Sequence, residues 1–158
     1  MTTPWHTLET CLNQQLALAQ QFLLALQEES RLLQNPAQAN QLASTTASKL
    51  SCVQQFEALT NTRNQALLQL GYSPSPQGLE QALAQHSAMA SQLQALQSLA
   101  QQASTLNTAN GAAIHTYLRH TQQALSEIHQ LSGQNTKPLY TASGRTSGGF
   151  RGRTHIKA

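Results

Sequence analysis

The sequence predicts an all-α protein: an antiparallel three-helix bundle or coiled coil with an extra-long third helix and a flexible C-terminal tail. Three observations carry that expectation. Leu, Ala and Gln dominate, and Gln alone outnumbers all charged residues together; these side chains lose little rotamer freedom on a helix. The apolar β-branched residues that strands favour are reduced to Val53, Ile114, Ile128 and Ile156. Apolar residues also recur at spacings of three and four through most of the chain, which is the period of a helix face.

The first helix is expected over 4–34. Thr3 can cap it and Pro4 suits its first position. Its seam runs Trp5, Leu8, Leu12, Leu16, Ala19, Leu23, Leu26, Ser30, Leu33. Asn35-Pro36 ends it, because proline disfavours helical geometry in the residue before it. The second helix is expected over 36–70, with Cys52, Phe56, Leu59, Ala66 and Leu70 on its seam. Lys49 and Arg63 share that phase and are expected to lie along the stripe with their charges carried to water. Gly71 and "YSPSPQG" then form a stop and a loop.

The third pattern is expected over 78–132. Its seam is Leu79, Ala82, His86, Met89, Leu93, Leu96, Ala100, Ala103, Asn107, Asn110, Ile114, Tyr117, Thr121, Ala124, Ile128, Leu131. The phase survives "NTANGAA", so Gly111 reads as a glycine within a helix, costing about 1 kcal/mol against alanine; a turn there is the alternative. At ~1.5 Å per residue the three helices span about 45, 50 and 80 Å. Short connections make the topology up-down-up, so the third helix outruns its partners after about Gly111. That overhang keeps Ile114, Tyr117, Leu118, Leu125, Ile128 and Leu131, with Thr121 on the same stripe. An uncovered apolar stripe of this kind expects a partner helix, with self-association or burial within the chain as the alternatives.

Enzymatic chemistry is not expected. There is no aspartate, and the six glutamates are scattered. His115 and His120 are five apart, which misses the spacing that puts two ligands on one helix face. His86 reads as a half-buried seam residue. Cys11 and Cys52 are too few for a disulfide framework or zinc site. No metal or cofactor and no small-molecule substrate are expected, and the lack of a signal peptide or apolar span points to a cytoplasmic protein without membrane insertion. Asn107 and Asn110 fall on the seam, where an unpaired amide is costly. Their expected role is to set helix register, with recognition as the alternative.

Residues 1–132 thus form the expected bundle and 133–158 the tail. Up to Ser132 six glutamates oppose four basic residues; beyond it Lys137, Arg145, Arg151, Arg153 and Lys157 have no acid among them. Glycine, serine and threonine dominate there, so a mobile segment is expected. "GGFRGR" has the look of an RNA-binding arginine-glycine cluster, a weak signal in single copy, and nucleic acid is not the expected partner.

"TLNTANGAAIHTYLRHTQQAL", then "KPLYTASGRTS" and a basic glycine-rich end, resembles the FlgN family of flagellar export chaperones. Lys49 and "RNQALLQLG" upstream also fit. The resemblance spans most of the chain and is specific in residues 106–147; the first helix departs from it in being richer in Gln and poorer in charge. It implies a chaperone that binds C-terminal helices of the hook–filament junction proteins FlgK and FlgL and delivers them to the export gate protein FlhA. A client helix would lie along the stripe from Ile114 to Leu131. Leu139, Tyr140, Gly144 and Arg145 would match the family's gate-docking segment. The competing readings are a coiled-coil adaptor that self-associates through the overhang and a nucleic-acid binder using the basic tail; for Leu139-Tyr140 the alternative to docking is a segment that folds back to mask the stripe.

Overall fold

The computed structural model describes residues 1–131; the expected tail, 133–158, and its residues Leu139, Tyr140, Gly144 and Arg145 lie outside the described residues. Local chemistry sets most helix ends. Thr3 accepts a hydrogen bond from the His6 amide through its hydroxyl, and Pro4 opens α1, Pro4–Leu33. Asn35 Oδ1 then accepts from the Ala37 amide and Pro36 starts a short 3-10 turn, Pro36–Gln41. The second helix, α2, covers Leu42–Gln69, so the expected α-helical start at 36 is corrected by that tighter first turn.

Gly71 terminates α2 with φ +84°, a left-handed geometry that glycine adopts without a Cβ penalty. The Gly71 amide donates to Leu68 O and the Tyr72 amide to Leu67 O, so the last carbonyls of α2 are satisfied within the turn. Ser75 caps the next helix by accepting from the Gly78 amide. Gly78 is required sterically, because a Cβ there would lie 1.9 Å from Ser73 O.

The expected continuous third helix is corrected: it is two helices, α3 (Pro76–Leu83) and α4 (Ser87–Leu131), parted at 84–86. There is no proline or glycine at the break. The cause is packing. On one unbroken helix Leu79 and Leu83 would be rotated by roughly 100° from Met89 and Leu96. Breaking the helix lets Leu79, Ala82 and Leu83 join Leu8, Leu12, Ala66, Leu67 and Met89 in one buried cluster, with Trp5, Leu70 and Tyr72 against it. The His86 ring packs against Trp5 at a tilt of 44° with centroids 4.2 Å apart, and the residue is half-buried as expected. From Ser87 the helix is continuous through Gly111 to Leu131.

Pairings between elements give the topology of residues 1–115, which form one unit. Gln15 meets Thr60 and Glu29 meets Lys49, so α1 and α2 run antiparallel. Asn13 meets Gln92 and Glu29 meets Asn110, separations of 79 and 81 residues, so α1 and α4 run parallel. The order is up, down, up, as short connections require. At that offset Leu33, the last residue of α1, is level with Ile114. None of the described helices is long and apolar enough to cross a membrane.

Candidate functional site

Residues 116–131, taken by themselves, are helical, and every one of them is exposed. The expected client-binding residues fall on this segment and its approach. Ile114 is half-buried; Tyr117, Leu118, Leu125 and Ile128 are 40%, 54%, 51% and 58% exposed, and Leu131 is 88% exposed. Thr121 is exposed too, and its hydroxyl donates back to Tyr117 O at 3.0 Å. At 100° per residue these seven occupy one side of the helix, the width of a face that elsewhere would be buried. The flanking charges are few, with Arg119 and Glu127 the full charges between 116 and 131. Such a surface can hold an apolar helix. Among the described residues no group of three His, Cys, Asp or Glu could hold a metal ion.

The two seam asparagines separate. Asn107 is exposed. Asn110 is buried, and its side-chain amide donates to Leu26 O at 2.8 Å and to Glu29 Oε1 at 3.0 Å. The other oxygen of Glu29 pairs with Lys49 Nζ at 2.7 Å. One polar link therefore runs from α2 through α1 to α4, directly before Gly111. Sliding α4 by one turn would break both Asn110 hydrogen bonds and take the amide donor from one oxygen of a carboxylate that is only 2% exposed.

This link corrects the expectation for Lys49, whose charge goes to a buried partner and not to water. Arg63 is corrected likewise. It is half-buried, its Nη1 donates to Gln15 Oε1 at 3.4 Å, and burial holds its pKa below the ordinary value. Gln15 is fully buried and donates to Thr60 Oγ1, forming a second polar layer. Both layers escaped the sequence reading because each basic residue finds its partner on another helix, 20 and 48 residues away in sequence. The one available signal was Glu29 lying on the same α1 face as Leu26 and Leu32. Cys11 and Cys52 are both buried and free.

Sequence reasoning also missed a groove. Leu18, Ala19 and Phe22 of α1, Val53, Phe56 and Glu57 of α2, and Leu96, Ala100, Ser104 and Asn107 of α4 line a mostly apolar cleft of about 630 Å³. It lies wholly within residues 1–115 and exists only when three helices meet, so no single helix pattern announces it.

Compared with known proteins, the chain matches the family model described as FlgN protein over residues 5–148, a span that includes the Leu-Tyr-x-x-x-Gly motif at 139–144. No curated protein and no solved structure gives a match.

Proposed function

The chain belongs to the FlgN family, and from that premise we propose how it acts. Membership implies a non-enzymatic flagellar export chaperone for hook-associated proteins of the FlgK and FlgL kind. The finer reading is that this chain holds the C-terminal helices of those clients along Ile114, Tyr117, Leu118, Thr121, Leu125, Ile128 and Leu131. The observation that supports it is the exposure of five large apolar side chains on one helical segment where none is covered. Burying such side chains under a client helix is favourable by ~25 cal/mol per Å², offset by the ordering of the client.

Delivery to the export gate protein FlhA would then fall to the segment containing Leu139, Tyr140, Gly144 and Arg145. A tyrosine beside a leucine gives a large contact area for few lost rotamers, with a hydroxyl that adds direction. The division of labour is stripe for client and Tyr140 segment for gate.

Calorimetric titration with a C-terminal helical peptide of a FlgK-like protein tests the first half. The expected result is a 1:1 complex that Leu118→Glu and Leu125→Glu weaken strongly and Tyr140→Ala leaves intact. Unchanged affinity in the two glutamate variants would move the client off the stripe. Tyr140→Ala should instead reduce capture of FlhA by the client-loaded chaperone.

A further inference from the structure

The cleft shared by α1, α2 and α4 has the build of a small-molecule site. Its volume of about 630 Å³ falls inside the range of roughly 300–1,000 Å³ usual for such sites. The room comes from side-chain size: Ala19, Ala100, Ala103 and Ser104 are small, and Phe22 and Phe56 stand half-buried on the same lining. Beyond both ends of the cleft α2 and α4 are tied together. At one end Ala66 and Leu67 share a buried cluster with Met89. At the other, Glu29 bonds both Lys49 and Asn110. A cleft bounded in this way suits a compact molecule better than a helix that runs on past it.

The charge on its wall selects the ligand. Glu57 is the one charged side chain on the lining, and among the described residues no cation pairs with it. The helix registers set by Gln15–Thr60, Glu29–Lys49, Asn13–Gln92 and Glu29–Asn110 put Glu57 near the level of Leu99 and Ala100, partway along the cleft. Thr60, Asn61, Ser104 and Asn107 add neutral polar groups, and no Lys, Arg or His lines the space. A carboxylate or phosphate entering it would meet a like charge with no cation to receive it. A cation finds a carboxylate, together with two phenylalanines whose ring faces attract positive charge.

We infer that this cleft binds a compact apolar cation: an alicyclic or aromatic amine in its ammonium form. Its hydrocarbon body lies against Phe22, Phe56 and Leu96, and its ammonium group sits at Glu57. The body supplies most of the affinity by leaving water. The carboxylate is exposed, so its share is selectivity more than strength. A molecule held there touches three helices at once and stabilises the folded bundle by mass action.

The site ends at Asn107 and shares no residue with the client stripe, which begins at Ile114. It stands or falls apart from the client reading.

Three probes with one hydrocarbon body and different heads test the inference: adamantylamine, adamantanol and adamantanecarboxylate, each titrated calorimetrically into the full chain at neutral pH. The expected result is saturable 1:1 binding of the amine, about two- to fivefold tighter than the alcohol, as an exposed ion pair gives, with the carboxylate weakest. Intermolecular NOEs should join the adamantane protons to the ring protons of Phe22 and Phe56. Glu57→Gln should bring the amine down to the alcohol. Ala100→Phe, at an exposed position on the wall, should fill the space and weaken amine and alcohol roughly tenfold, with circular dichroism to check that the helices persist. Leu118→Glu, on the stripe, should change neither. No saturation by the amine up to about 1 mM overturns the inference. So does a carboxylate that binds as tightly as the amine, an amine advantage that survives Glu57→Gln, or binding that a folded Ala100→Phe leaves intact. Titration of the same variants with the client peptide reads client binding separately.

Discussion

Glu29 and Asn110 are 81 residues apart in sequence and joined at 3.0 Å, both almost wholly buried, with Lys49 closing on the far carboxylate oxygen. The pair ties the final helix to the first in one register. Removing one member of a buried ion pair leaves an uncompensated charge, so Lys49→Ala should lower stability by about 3–5 kcal/mol, read as a fall in the urea midpoint. Replacing Lys49 and Glu29 together by methionine should cost much less, because no charge is then left behind.

The two asparagines should differ in the same assay. Asn110→Ala abandons Leu26 O and one side of Glu29, an expected loss of about 1–3 kcal/mol. Asn107→Ala, on an exposed position, should stay within about 0.5 kcal/mol. Equal effects would remove the register role from Asn110.

Glycine substitutions give an opposite pair. Gly78→Ala drives a Cβ into the Ser73 carbonyl and should destabilise by roughly 1–3 kcal/mol. Gly111→Ala meets nothing among the described residues and should stabilise the helix by up to about 1 kcal/mol. Thermal melts at low protein concentration separate this gain from any effect on self-association.

On the stripe, Leu118→Glu and Leu125→Glu should leave monomer stability within about 0.5 kcal/mol, since both side chains are exposed. Each should weaken client binding at least tenfold, because burying a leucine is worth about 1.5–3 kcal/mol and every 1.4 kcal/mol is a factor of ten. Circular dichroism and calorimetry on the same samples distinguish a binding defect from a folding defect.

Burial raises the Cys11 thiol above its ordinary value of 9.0, with the Arg63 charge opposing the rise. The unfolded chain therefore ionises this group at lower pH than the folded chain does. Its contribution to stability is complete below pH 9.0 and is lost as pH climbs through the higher folded value. Urea midpoints should fall in that alkaline range, and Cys11→Ala should flatten the fall.

The local signals were legible. Pro4, Asn35-Pro36 and Gly71 mark helix ends through their own backbone chemistry, and the apolar period identified both the helices and the exposed stripe. The break at 84–86 was not legible, because Leu79 and Leu83 favour it only once Leu8, Leu12 and Leu67 are there to receive them. Lys49 looked like a surface lysine because nothing near it in sequence offers an acid; its partner arrives from another helix. The groove had no sequence signal for the same reason. Tyr140 and its neighbours were legible only as a motif.

The charge-poor stripe has a kinetic consequence. With Arg119 and Glu127 as the full charges between 116 and 131, no strong field draws a partner in, so encounter should proceed at the unsteered pace of roughly 10⁵–10⁶ M⁻¹s⁻¹ and change little with added salt. Selection among partners then rests on how long each one stays. On the client reading proposed above, a helix that fits the stripe should outlast one that does not.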